Sequence, residues 1–171
     1  MTIRWQGASA AGMGEFVGTC DGKLDSKNRI LIPSEFRPEG RSAAEQLAFR
    51  LSFQRPCIEA QSRAAFDAML SSIARLPMLS EERDEMESAI IAETALIRPD
   101  SESRVILPPE MLREAGFTPG TELALVGKGD RFEIWGRADW QAQRATMRTR
   151  VRERGLTLSV QTLSPTPGTV P

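Results

Sequence analysis

The stretch DSKNRILIPSEFR at positions 25–37 returns as DSESRVILPPEML at positions 100–112, an offset of 75 residues. Each copy places an aspartate four residues before an arginine, and three aliphatic residues and a proline follow the arginine. A second block, CIEAQSRAAF at 57–66, aligns with RFEIWGRADW at 131–140 at an offset of 74. Two blocks in the same order with nearly constant offset indicate a duplicated half-domain.

A polar turn precedes the aliphatic triplet in each copy. Upstream of the turn lies an apolar stretch, with Phe16 and Val17 in the first copy and Ile90 and Ile91 in the second. Asp and Ser favour turns, and Asn28 tolerates a left-handed backbone. The layout therefore predicts a β-hairpin in each copy. The triplet closed by proline is typical of a strand that is buried on both faces.

A second strand pair is predicted in each copy. The pairs are 47–53 with 56–60 and 122–126 with 131–135, and the glycines at 127–130 are a strong hairpin signal. In the second copy, a short helix is predicted between the triplet and this pair, because proline suits a first helical turn and glycine a C-terminal end.

Three further helices are predicted, one after each strand pair and one between the copies. The first begins at Ser62 and has an apolar stripe, and the last begins near Asp139 and is rich in arginine. The helix between the copies begins at the N-cap Ser80 and is acidic. Its side chains that are expected to face inwards are Met86, Ala89 and Ile90.

The overall composition is that of an ordinary globular protein. The chain has 171 residues, of which 40% are apolar and 26% charged. No run approaches the roughly 20 apolar residues that span a bilayer. The N-terminal residues lack the apolar core of a secretory signal. We therefore expect a cytoplasmic protein without a membrane partner.

The residue inventory argues against catalysis and metal binding. The chain has no histidine and two cysteines, Cys20 and Cys57, which we expect to be small core residues. Without histidine, neither Ser-His catalysis nor the usual zinc site can form. Asp25 and Asp100 could be imagined as an acid/base pair, but a neighbouring arginine lowers the pKa of each and makes a poor general acid. We expect no enzyme, no cofactor, no metal and no small-molecule substrate.

Charge is distributed unevenly over a chain whose net charge is only −1. The first turn carries three cations against one aspartate, whereas the second carries two against an aspartate and a glutamate. Arginine presents a planar fork that suits phosphate or the O6/N7 edge of guanine. We therefore predict DNA binding, mainly by the first turn, with Asp25 and Asp100 shaping the turns. The predicted DNA-binding residues are Lys23, Lys27, Asn28, Arg29 and Arg104.

The duplicated DSKNRILIP and DSESRVILP, together with FEIW at 132–135 and Trp140, resemble the MraZ family of bacterial transcriptional regulators. This family belongs to the SpoVT/AbrB-like swapped-hairpin superfamily, and the resemblance covers about residues 13–150. It implies an α+β fold of duplicated swapped-hairpin β-barrel half-domains with pseudo-twofold symmetry, flanked by helices.

The resemblance also sets the expected domain organisation. Residues 1–12 are expected to form a disordered extension. The first repeat with its helix is expected over 13–79. The linking helix and the second repeat with its helix follow over 80–152, and a mobile tail over 153–171.

Function follows from the same resemblance. It implies a homo-oligomer, as a closed ring, that binds G-rich direct repeats in double-stranded DNA upstream of the division and cell-wall gene cluster, usually as a nucleoid-associated repressor. The DNA-contacting turn falls on Lys27 and Arg29, and its counterpart on Arg104. In two departures from the family pattern, Asn28 and Ser103 stand where glycine is usual, and Glu102 stands where a basic or neutral residue is usual, which disfavours DNA contact by the second copy.

Ring assembly has a physical rationale, because weak hairpins gain affinity when several are linked over repeated sites. The helices from Ser62 and Ser80 are candidates for the subunit interface, although both could simply cover the barrel. Two other functions stay open. One is an AbrB-like antitoxin that binds DNA and a partner toxin, and the other is a scaffold whose ring is itself the function.

Overall fold

The computed structural model describes residues 16–37 and 45–156, which hold eight strands and four α-helices. The strands are β1 (Thr19–Lys23), β2 (Arg29–Leu31), β3 (Leu47–Leu51), β4 (Cys57–Ser62), β5 (Ala95–Ile97), β6 (Arg104–Ile106), β7 (Glu122–Gly127) and β8 (Arg131–Gly136). The helices are α1 (Arg63–Ile73), α2 (Glu81–Met86), α3 (Pro109–Glu114) and α4 (Arg137–Glu153). The predicted extension at 1–12 and the tail beyond residue 156 lie outside the described residues.

Two antiparallel sheets organise these strands. The larger has the order β1-β7-β8-β4-β3-β5, and the smaller is a ribbon of β2 and β6 alone. Both predicted strand pairs, β3 with β4 and β7 with β8, are confirmed. The predicted α+β class is confirmed at this level, with a mostly antiparallel sheet and helices around it.

The hairpins predicted around the two polar turns are wrong in their pairing. β1 and β2 follow one another through the first turn but do not pair, because β1 pairs with β7 and β2 with β6. In the second copy, β5 pairs with β3. The upstream strands also begin later than predicted: Phe16 forms only an isolated bridge to Gly129, and Ile90 and Ile91 lie in a π-helical turn. Local sequence predicts a turn but not which strands then meet.

The aliphatic triplets alternate between two environments, so the prediction of burial on both faces is wrong. Ile30 and Val105 are fully buried, whereas Leu31 is 53% exposed and Ile106 is 61% exposed. The physical reason is that the β2–β6 ribbon packs one face on the core while its other face points outwards, as antiparallel sheets commonly do.

The core beneath the ribbon centres on Phe132, whose ring contacts three other phenylalanines. Ring centroids lie 5.1 Å from Phe16, 5.2 Å from Phe36 and 6.4 Å from Phe49. Such pairs contribute about 0.5–1.5 kcal/mol each beyond the burial of their area. The cluster joins residues from β3, β8 and the segments on either side of the ribbon, so both copies contribute to one core.

Serine N-caps begin two helices, and the one that the sequence predicts, at Ser80, is confirmed. The Ser62 hydroxyl accepts a hydrogen bond from Ala65 N at the start of α1, and the Ser80 hydroxyl accepts one from Arg83 N at the start of α2. α1 buries Phe66 and Ile73, so it covers the sheet.

The acidic helix differs from the prediction. α2 continues as a π-helical turn over Glu87–Ala92, and no residue of either segment is buried. Met86 is 40% exposed, and Ala89 and Ile90 are half-buried, so the predicted inward placement of the three is wrong. Their spacing places them on one side of the helix, but spacing does not determine whether another element packs against that side. This segment therefore carries apolar side chains that the described part of the chain leaves largely open.

The contacts divide the chain into two units, one that ends at Trp140 and holds both sheets, and one that starts at Gln141 and holds the rest of α4. Among residues 16–37 and 45–156, no helix combines the length and apolar character needed to cross a membrane. The boundaries predicted for the two repeats stay predictions.

Both cysteines are free thiols. Cys57 is fully buried in β4, and burial, followed by the charges of Glu133 and Glu59, raises the pKa of its thiol to about 12. Cys20 is partly buried, and its pKa is also raised, mainly by burial. Neither thiol has the lowered pKa of a reactive cysteine.

Gly127 allows the chain near Phe16 to lie against β7. A Cβ at this position would lie 2.6 Å from the Phe16 carbonyl carbon and 2.7 Å from Val17 N. We expect Gly127→Ala to lower the free energy of unfolding by about 1–3 kcal/mol, the usual cost of overpacking. Chemical denaturation measures this loss.

Gly22→Ala is the matched control, because a Cβ there would meet only the end of the flexible Leu125 side chain closely. Equal losses for the two variants would contradict the close approach of the Phe16 backbone to Gly127.

Candidate nucleic-acid interface

The first polar turn is held by the carboxylate of Asp25. One oxygen, Oδ1, accepts hydrogen bonds from Lys27 N at 2.7 Å and from Arg29 N at 2.9 Å. The other, Oδ2, accepts from Arg29 Nε at 2.6 Å. The backbone closes the turn, because Asp25 N donates to Arg29 O and Asn28 N donates to Asp25 O. One side chain thus fixes both the turn and the arginine at its end.

The second turn repeats this geometry at the equivalent positions. Asp100 Oδ1 accepts from Glu102 N and from Arg104 N, both at 2.9 Å, and Oδ2 accepts from Arg104 Nε at 2.9 Å. Asp100 N donates to Arg104 O, and Ser103 N donates to Asp100 O. Two segments that share only part of their sequence therefore build the same loop.

Both turns need a left-handed residue just before the arginine. Asn28 has φ 59° and Ser103 has φ 62°, and they are the two non-glycine residues with positive φ in the described part of the chain. These are the positions at which the family resemblance leads one to expect glycine. The geometry explains that preference, because a left-handed backbone strains residues with a Cβ and costs glycine nothing.

The register of the ribbon brings the two turns together. Arg29 lies opposite Ile106, and Leu31 lies opposite Arg104. The ladder extends into the turns, since Leu107 N donates to Asn28 O. Directly opposite residues point to the same face of an antiparallel pair. The outer face of the ribbon therefore presents two arginines on one diagonal and two exposed aliphatic side chains on the other.

The two arginines are not equally available. Arg29 uses Nε for Asp25, and neither Nη nitrogen has a hydrogen-bond partner among the described residues. Arg104 also pairs through Nη1 with Glu102 Oε2 at 2.6 Å. Half of its outward fork is thus occupied by a carboxylate. The asymmetry agrees with the charge count of the two turns.

The carboxylates of the turns are held in the ionised form. The pKa of Asp25 is lowered, first by the hydrogen bond from the backbone of Arg29 and then by its side chain and by Lys27 N. The pKa of Asp100 is lowered in the same way by Arg104 and by Glu102 N. The pKa of Arg104 is raised, first by its hydrogen bond to Asp100. All three groups stay charged at neutral pH, and neither aspartate is suited to proton transfer.

The two lysines occupy different places. Lys27 is exposed at the tip of the first turn, next to the outer face of the ribbon. Lys23 is exposed at the end of β1, opposite Glu122 on β7, so it belongs to the larger sheet. Neither ammonium group has a partner within the described ranges. The structure thus brings Lys27 and the two arginines near one surface and leaves Lys23 beside it.

Sequence reasoning missed Leu31 and Ile106 as members of this surface. Both are the middle residue of an aliphatic triplet, and their neighbours on either side are buried. The triplets are uniformly aliphatic, so they lack the alternation of apolar and polar residues that would have revealed the open face. Among the described residues, no group of three or more cysteine, aspartate and glutamate side chains could hold a metal ion.

The strain at Ser103 generates a stability prediction. Ser103→Gly should raise the free energy of unfolding by about 0.5–1 kcal/mol, because the left-handed penalty disappears while the unfolded chain gains some freedom. A gain of this size raises the Tm by about 1–4 °C in a chain of this length. Calorimetry measures the change.

Ser101→Gly is the control, since Ser101 is exposed in the same turn without positive φ, so this variant should lose stability. A similar loss in both variants would show that Ser103 is not strained.

Comparison with known proteins points to one family. A family model described as "MraZ protein, putative antitoxin-like" matches residues 90–156. Transcriptional regulator MraZ of Gluconacetobacter diazotrophicus is 40% identical over 148 residues, which cover 84% of this chain and 92% of that protein. The Caulobacter vibrioides protein of the same name is 34% identical over 81% of this chain and 87% of its own length. That of Rickettsia bellii is 32% identical over 79% and 89%.

These relatives are all named as transcriptional regulators, which is consistent with a function other than catalysis. They match the chain over most of its length. With this degree of identity over this coverage, the chain belongs to the MraZ family of transcriptional regulators.

Proposed function

We propose that this regulator binds double-stranded DNA in a sequence-specific manner through the outer face of the β2–β6 ribbon. The observation that carries the proposal is the register of the ribbon, which places Arg29 and Arg104 on one exposed face. The major groove of B-DNA is about 12 Å wide and admits a two-stranded ribbon. On such a ribbon, rigidly held arginines would present their guanidinium groups to the edges of the bases.

Each side chain of the outer face suits a different contact. The two free Nη groups of Arg29 match the O6 and N7 acceptors of guanine. Lys27, at the tip of the turn, is placed for a phosphate. Leu31 and Ile106 are apolar and exposed, and such side chains contact thymine methyl groups. The Asp25 carboxylate supports the guanidinium from behind, so less side-chain freedom is lost on binding.

The two copies contribute unequally in this proposal. Glu102 pairs with Arg104. It occupies the position in the second turn that Lys27 occupies in the first, so its negative charge would repel a phosphate there. Arg29 and Lys27 are therefore the principal readers, and Arg104 makes the weaker contact. Lys23 and Asn28 act at the edge of the interface, Asn28 mainly by its left-handed backbone.

We infer that the fold is a duplicated swapped hairpin with pseudo-twofold symmetry. The pairings support this, because exchanging each strand of the first half for its counterpart in the second turns the β1–β7 pair into the β5–β3 pair. The same exchange turns the pairs β2–β6 and β4–β8 into themselves. The two halves then do within one chain what a symmetric dimer does with two.

A homo-oligomer, as a closed ring, is the form in which a small interface of this kind can bind well. A single ribbon offers few phosphate contacts, so its affinity is low and falls steeply with salt. The segment 78–91 supplies a surface for assembly. Met78 is 80% exposed and Leu79 is 97% exposed, and Met86 and Ile91 beside them are each 40% exposed. α1, the other candidate, covers the sheet, so we assign the interface to segment 78–91.

The family resemblance gives the target and the outcome of binding. The proposed target is a set of G-rich direct repeats upstream of the division and cell-wall gene cluster, and the proposed effect is repression by a cytoplasmic, nucleoid-associated protein. The preference of arginine for guanine is consistent with a G-rich site. The description of the matching family model as antitoxin-like favours one alternative, an antitoxin that also binds a partner toxin.

The role of Arg29 generates a DNA-binding prediction. We expect Arg29→Ala to abolish measurable binding to duplexes selected from a random pool, since about 1–3 kcal/mol is lost at every ribbon of an oligomer. Arg104→Ala should weaken binding less. Fluorescence anisotropy at several salt concentrations measures both, and the selected sequences show whether the site is G-rich.

Arg63→Ala is the matched control, because Arg63 is an exposed arginine on α1 that pairs with Asp67 away from the ribbon. If Arg29→Ala bound as tightly as the parent at moderate salt, the ribbon would not be the interface. Selection without any enriched sequence would argue against specific recognition.

The ring generates a separate prediction. Light scattering at micromolar concentration should give several times the monomer mass, and Leu79→Glu should reduce it, because a charge would then have to be buried in the contact. Ile106→Glu should weaken DNA binding and leave the mass unchanged. A monomer in the parent protein would rule out the ring, and an unchanged mass for Leu79→Glu would place the interface elsewhere.

A further inference from the structure

The larger sheet has a second face, opposite the phenylalanine core, which is lined with charged and polar side chains. Arg50 on β3 lies opposite Glu59 on β4. Gln61 on β4 lies opposite Arg131 on β8, and Glu59 lies opposite Glu133. Because opposite residues and alternate residues share a face, these five side chains form one cluster. None of them belongs to the β2–β6 ribbon.

A pocket of about 270 Å³ opens on this cluster. This volume lies just below the range of about 300–1,000 Å³ for drug-sized ligands, so it suits a small molecule. Three arginines line the pocket with two carboxylates, Glu59 and Asp130, and the buried Glu133, which pairs with Arg55, balances the third arginine. The lining residues that carry the inference are Arg50, Arg55, Glu59, Gln61 and Arg131, with Phe53 and Met69 as an apolar wall.

Each of the two glutamates of the cluster is already paired with an arginine. Glu59 accepts from Arg50 Nη2. Glu133 is fully buried and accepts from Arg55 Nη1 at 3.1 Å and from Trp135 Nε1 at 2.9 Å. The carboxylates therefore fix the positions of the arginines, but they do not accept hydrogen bonds from all of the arginine N–H groups.

Three buried donors of this cluster have no acceptor among the described residues: Arg50 Nη1, Gln61 Nε2 and Arg131 Nε. They come from three adjacent strands and line one pocket. Gln61 is only 7% exposed, so solvent cannot serve it freely. An unsatisfied buried donor destabilises the folded chain, and a charged donor does so more. Three such donors on one pocket favour a ligand whose polar atoms are hydrogen-bond acceptors.

We propose that this pocket binds a small molecule that carries a phosphate or carboxylate group. Such a group in its ionised form offers several lone pairs, which match three N–H donors, two of them on arginine side chains. A metal ion does not fit, because the unsatisfied atoms are all donors. Phe53, which is 63% exposed and stacked on Arg50 at 5.1 Å, would contact the organic part of the ligand. Binding there would make the regulator responsive to a metabolite.

The experiment follows the side chains that donate. Inorganic phosphate and, separately, acetate are titrated into the full chain at constant ionic strength, and NMR records the Arg Nε–H and Gln side-chain amide signals. We expect saturable shifts of Gln61 and Arg131 with either probe. Gln61→Leu should weaken the apparent affinity about tenfold or more, the effect of losing one hydrogen bond to a charged acceptor.

Gln61→Leu keeps its volume and removes an unsatisfied donor, so we expect it to fold at least as stably as the parent, and thermal unfolding checks this. Arg63→Gln, outside the pocket, controls for general effects of anions. Shifts that do not saturate, or that are equal in Gln61→Leu and the parent, would overturn the proposal, as would a crystal structure in phosphate with only water bound to these donors.

Light scattering in the same buffers identifies where the natural ligand comes from. An unchanged mass with phosphate supports a free small molecule. A mass that falls with phosphate or acetate supports the same oxyanion site with a different occupant, a carboxylate side chain from a second copy. Since neither measurement involves DNA, failure of the pocket and failure of the proposed DNA interface are distinguishable.

Discussion

Neither half of this chain can satisfy the backbone hydrogen bonds of its own strands. At each polar turn, an aspartate carboxylate accepts hydrogen bonds from the turn amides and the arginine. The strands before and after the turn then belong to different sheets. An unpaired strand exposes a row of donors and acceptors, which is costly when buried. Each half therefore completes its sheets with strands of the other, and the single phenylalanine core follows from that exchange.

The candidate DNA interface is a direct consequence of this constraint. If each turn had closed an ordinary hairpin, Arg29 and Arg104 would lie in two separate hairpins. Because β2 pairs with β6, the arginines share one small surface with Leu31 and Ile106. Duplication does not make the two contributions equal, since Glu102 occupies part of the fork of Arg104. In the proposed interface, the two arginines can therefore differ in their contact with DNA.

On the opposite face of the large sheet, equivalent residues of the two copies also lie next to each other. Glu59 and Glu133 are equivalent residues of the two copies, and they lie opposite one another on β4 and β8. Two facing carboxylates repel, so burial is tolerable only with cations close by, which Arg50 and Arg55 supply. The arginines around this pair bring more donors than the carboxylates accept, and Arg50 Nη1 and Arg131 Nε, together with Gln61 Nε2, have no acceptor among the described residues.

The sequence by itself determined what depends on neighbours along the chain. The repeat, the Asp-x-x-x-Arg turns, the N-cap at Ser80 and the strand pairs joined by short loops were all predictable, because each is decided within a few residues. Only the tertiary structure decided which strands meet across the two halves and which aliphatic side chains stay uncovered. Leu31, Ile106 and Met86 look like core residues in the sequence, but their burial depends on whether distant segments cover them, and no local pattern contains that information.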